Sequence, residues 1–114
     1  MSNVMSTKEK IVETFNIISQ CHKRQKSYDE GLALAKEYFE SDREADLFCG
    51  SIRAVVTSGY KIKIEQALES DIKYYIRYRV SKKGTEDEIF VARFSKGNDN
   101  KVSEHEIYNE TNKE

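Results

Sequence analysis

The best-placed residue for chemistry in this chain is His105, which stands between Ser103 and Ile107 on one side of an alternating segment. An imidazole there could move a proton, particularly if a carboxylate orients it. Tyr74 and Tyr78 share one face of another alternating segment. Their phenols could donate to a carbonyl or enolate oxygen, or their rings could simply pack. Arg93 alternates with Ile89 and Val91, so its charge must meet an anionic ligand or a carboxylate such as Glu104 or Glu106 on the next strand. Lys61, Lys63, Lys73, Arg77 and Arg79 surround Tyr75 on a cationic face that could bind phosphates and stack a base. Glu65, Glu104 and Glu106 could equally neutralise those charges by cross-strand pairing.

Other catalytic devices are missing from the sequence. Cys21, His22, Cys49 and His105 do not have structural zinc spacing, and there is no phosphate-binding GxxxxGK[ST] loop, GxGxxG turn or GxSxG elbow. No metal and no cofactor is expected. The 114 residues make one domain, and 19 basic against 20 acidic side chains leave no global field to draw in nucleic acid or an anionic membrane. Any such affinity must be local. Cys21 and Cys49 read as free thiols of a reducing compartment, with a disulfide between them as the alternative. Met1 to Lys10 has neither the basic start nor the apolar run of a signal peptide, and no apolar stretch is long enough to span a bilayer. A cytoplasmic protein is the expectation.

The elements that must position these residues are helices first and strands afterwards. Ser6 with Glu9, Ser27 with Glu30 and Ser41 with Glu44 each have capping-box spacing. Helix one carries Ile11, Phe15 and Ile18 and ends near Cys21; the following run, His22 to Lys26, sets positive charge at helix-end carbonyls, with nucleic-acid contact as the alternative. Helix two runs from about Tyr28 to Glu40 with Leu32, Ala35 and Phe39 on its stripe. In the third segment Ala45, Phe48, Ile52, Val55 and Val56 fit a helix, whereas Gly50 and Val55-Val56-Thr57 favour a short strand near Leu47–Cys49 followed by a short helix. Four strands follow, at about 60–65, 72–80, 88–95 and 101–108. Ile72, Tyr74, Ile76, Tyr78 and Val80 take one face of the second, and the apolar residues on both faces of the third place it inside the sheet. The expected fold is α+β, with two or three helices on a curved four-stranded antiparallel sheet. Residues 1–6 are expected to be disordered, 7–109 to form the domain, and 110–114 to be a polar tail with nothing to bury.

Glu88–Phe94, Lys96-Gly97 and the strand Lys101-Val102-Ser103-Glu104-His105-Glu106-Ile107-Tyr108 resemble the closing hairpin of the nuclear transport factor 2-like superfamily, which includes SnoaL-like cyclases and ketosteroid isomerase-like proteins. Val102 and His105 match the spacing of its last strand, and the order of elements agrees over about residues 7–109. Asp42 to Gly59 is shorter than the family's corresponding section. The resemblance implies a cone-like sheet whose mouth the helices close, with a concave pocket lined by Phe15, Tyr38, Phe48, Tyr74, Tyr78, Arg93 and Ile107. It implies Asp46 as the acid orienting His105, and a homodimer contact through the outer face at Lys73, Tyr75, Arg77 and Arg79. The reading that follows is a noncatalytic dimeric module that holds a small apolar ligand or a protein segment. The alternatives are a cofactor-independent isomerase, cyclase or hydratase using His105, and nucleic-acid binding through the cationic sheet face.

Overall fold

The computed structural model describes residues 5–112. Three helices, α1 (Thr7–Ile18), α2 (Lys26–Tyr38) and α3 (Asp42–Thr57), precede four strands, β1 (Lys61–Glu69), β2 (Lys73–Ser81), β3 (Glu88–Lys96) and β4 (Val102–Asn109). The strands pair antiparallel in the order β1-β2-β3-β4, giving a sheet that is curled but not closed. The fold is α+β, as the order of hydrophobic periods predicts.

Two of the three expected capping boxes leave a mark. Ser6 and Glu9 form the complete reciprocal pair at the start of α1. Ser41 accepts from the Glu44 amide at α3, but the Glu44 carboxylate turns elsewhere. The box at Ser27 and Glu30 does not form. Gln25 already has helical angles, so α2 starts before Ser27, which lies buried within its first turn. A serine inside the helix cannot adopt the extended backbone that an N-cap needs. Residues 1–4 of the segment expected to be disordered lie outside the described residues, and Ser6 is the α1 cap.

The third segment is one helix throughout, so the strand-then-helix alternative near Leu47–Cys49 is corrected. Ala45, Phe48, Cys49, Ile52 and Val56 are all buried at helical spacing, and the space beside Gly50 is open. Burial of that stripe outweighs the β preference of Val55-Val56-Thr57, which amounts to tenths of a kcal/mol per residue.

Strand alternation is clear in β2, where Tyr74, Ile76, Tyr78 and Val80 are buried under the helices and Lys73, Tyr75, Arg77 and Arg79 face outward half-exposed. Ile72 is corrected: it precedes the strand, in the turn, and is 67% exposed. The core is an aromatic layer between helices and sheet. Phe15, Phe48 and Phe94 are its largest fully enclosed members, with Phe48 5.3 Å from Phe15 and 5.0 Å from Phe94 between ring centroids. Both rings meet Phe48 edge-on, the arrangement that the aromatic quadrupole favours.

The α2–α3 junction is tied to the far hairpin. Phe39 makes a parallel bridge to Val102, and the Glu40 amide donates to the Val102 carbonyl at 2.8 Å. The Glu40 carboxylate accepts from the Asn98 amide at 2.6 Å, passing where a Cβ on Gly97 would stand. Only glycine leaves that carboxylate room. Of the expected polar tail, residues 110–112 are engaged, since Glu110 pairs with Arg77 and the Thr111 hydroxyl accepts from the Ile89 amide, while 113–114 lie outside the described residues.

Candidate functional site

His105 and a carboxylate do meet, but the partner is Glu44. Its Oε1 lies 2.9 Å from His105 Nδ1 and 3.2 Å from the His105 amide, which donates to it. The Ser41 cap fixes the first turn of α3 and aims Glu44 at β4. The imidazole sits against Phe39, Phe48 and Phe94, nearly parallel to the last, and its side chain is 10% exposed. Asp46, the acid implied by the resemblance, is exposed and not brought to His105. Two residues along a helix is a rotation of about 200°, so a turn that points Glu44 inward points Asp46 away. Burial raises the proton affinity of Cys49, and the charge of Asp46 adds to it.

The expected pocket residues are brought together on the concave side as a packed layer. Phe15 lies 4.9 Å from Tyr78, and Tyr78 stacks on Phe90. The Tyr38 hydroxyl donates to Thr14, which in turn donates to the Lys10 carbonyl. Burial pushes the Tyr38 and Tyr78 phenols far up, so both stay protonated through the neutral range. Tyr74 is 3% exposed beneath the Lys96 ammonium, and Ile107 packs on the core rim. Cys49 is a free, buried thiol pushed up to about 12 by desolvation and then by Asp46.

Arg93 does not join them. It lies on the outer face with Glu106 as its ion partner and its guanidinium over Tyr108, while its Nε is buried without a hydrogen-bond partner among the described residues. This is the cross-strand pairing that alternation allows.

The remaining arginines of the outer face are also engaged. Arg77 Nε meets Glu110 at 2.9 Å, and Arg79 reaches Glu65 at 3.3 Å and Asp87 at 3.4 Å. The Arg79 hydrogen bond holds the Glu65 carboxyl below its usual range. Between these pairs lies an apolar strip. Leu68, Tyr75 and Val91 line a hollow with Gln66 and Arg77, while Tyr108 lies opposite Val91 across the β3–β4 pairing. Leu68 and Tyr108, on the two edge strands, are 50% and 40% exposed.

The sequence missed the Glu44–His105 pair because 61 residues separate its members. The one available signal was that Glu44 occupies the third position of a capped helix, where an acid is expected for helical reasons alone. No family model, curated protein or solved structure matches the chain.

Proposed function

We propose that this chain is a noncatalytic module that pairs with a second copy through the outer face of its sheet. The observation that carries this reading is an uncovered four-stranded face that exposes Leu68 on β1 and Tyr108 on β4, with Tyr75 and Val91 between them. Lys61, Lys63, Lys73, Arg77 and Arg79 stand on its β1–β2 side, and Glu104, Glu106 and Glu110 stand at its β4 side. A twofold axis in the interface plane and along the strands would set the basic side of one copy over the acidic side of the other. At about 4.8 Å between strands and about 3.3 Å per residue, the face measures about 19 by 30 Å, or about 570 Å², near the low end of about 600 Å² per partner for a specific interface. The same arrangement accords with the resemblance to the nuclear transport factor 2-like superfamily. An apolar guest on the concave side would have to part the packed rings, whereas a partner on the outer side moves nothing.

Sedimentation at tens of micromolar tests the reading, with a species of twice the 13.3 kDa chain mass expected. Leu68→Glu with Tyr108→Glu should convert it to monomer without loss of fold. A wild type that sediments at the chain mass would end the proposal.

The His105–Glu44 pair favours a second reading, a cofactor-independent enzyme in which the oriented imidazole acts as base. It requires a guest beside His105. An apolar fragment that shifts the His105 imidazole NMR signals, and fails to do so in Glu44→Gln, would support it; a fragment screen that leaves those signals unmoved removes it.

A further inference from the structure

We infer that the end of the molecule formed by the α1–α2 turn, the α3–β1 junction and the β2–β3 hairpin binds the phosphodiester backbone of single-stranded nucleic acid. Three clefts adjoin there. The first, about 660 Å³, is walled by His22, Lys23 and Arg53; the second, about 600 Å³, shares His22 and Lys23 and adds Lys61; the third, about 620 Å³, shares Lys61 and adds Lys82 and Lys83. The shared lining residues set the three side by side, as one track along this end.

Five cations, Lys23, Arg53, Lys61, Lys82 and Lys83, line this track with His22 against two carboxylates, Asp29 and Asp87. Asp87 is already engaged by Arg79. None of the five cations forms an ion pair with a described acidic side chain, in contrast to the arginines of the sheet face. Arg53 lies 4.1 Å over the Tyr28 ring and Lys82 5.1 Å over the Tyr60 ring, contacts that hold both heads in place and leave them uncompensated. A chain with a formal net charge of −1 thus sets five cations without acidic partners along one end.

The shape and lining select among anions. A flat membrane surface does not follow re-entrant clefts, and a flexible strand does. Peptide grooves supply apolar anchor pockets, but the third cleft is lined only by Gly59, Lys61, Ser81, Lys82, Lys83 and Asp87. Repeated phosphates need only spaced cations and hydrogen-bond donors. Both tyrosines carry a cation on one face, so the backbone rather than the bases is the recognised element, and weak sequence preference follows.

Fluorescence anisotropy of a labelled oligothymidylate of about 15 nucleotides, at about 50 mM salt, tests the inference with the full chain. Binding should weaken with salt at a log–log slope of about −2 to −3, as three or four contacted phosphates require. Lys23→Glu with Lys82→Glu should weaken binding by about tenfold or more. Lys101→Glu, the same charge change at the opposite end, should leave it within about twofold. No anisotropy change at low salt would overturn the proposal, as would equal losses from both variants. Polyglutamate or inorganic polyphosphate binding as tightly as the oligonucleotide would reassign the track to an acidic protein segment or to a base-free phosphate polymer.

Discussion

Phe48→Ala lowers the unfolding free energy by about 3–5 kcal/mol, the range for removing an enclosed phenyl ring. The ring is fully buried and touches Phe15, Phe39, Phe94 and His105, so it joins α1, the end of α2, β3 and β4. Rings arriving from four elements cannot all collapse into the space it leaves. Most domains have about 5–15 kcal/mol in all, so the variant should lose about a fifth or more of its stability. With a slope of about 1.5 kcal/mol per molar urea, the midpoint by circular dichroism falls by about 2–3 M. Phe48→Leu should recover most of the loss. A drop below about 1 kcal/mol for the alanine variant would show that the aromatic layer is not close-packed.

Gly31→Val destabilises the fold by about 2 kcal/mol, although helix propensity alone predicts a small gain for replacing a mid-helix glycine. Gly31 is buried where α2 crosses α1, and an added Cβ would fall within contact distance of Ile18 Cγ1 and 2.9 Å from its Cδ1. Ile18 is itself fully enclosed and has nowhere to turn. The clash, about 1–3 kcal/mol, therefore exceeds the propensity gain of under about 0.5 kcal/mol. Thermal unfolding checks the sign: an unchanged or raised midpoint would mean that the helices separate freely at that crossing.

The contrast between these two sites shows what the sequence made legible. Strand positions were readable because alternation is local: Tyr74, Ile76, Tyr78 and Val80 announce their shared face within nine residues. The helix over 42–57 was half-readable, since the Ser41 cap and the stripe from Ala45 to Val56 competed with Gly50 and the β-branched residues at its end. Crossings were not readable. Gly31 looks like a weak point in α2 until Ile18 is seen against it. The acid at His105 was sought two residues away from its true position, because the choice between Glu44 and Asp46 depends on helix phase relative to β4. The outer arginines were legible as ion-paired or ligand-binding, and only the register between strands decides for pairing.

The bond from the α2–α3 junction to β4 has a consequence for how the chain comes together. Val102 and Asn98 are the partners of Glu40, so the helical half cannot complete its contacts until the last hairpin has been synthesised. Loop closure over some sixty residues precedes any reward from those contacts, which favours one all-or-none assembly over stepwise docking. Cutting the chain between helices and strands should therefore yield two fragments that regain order only when mixed.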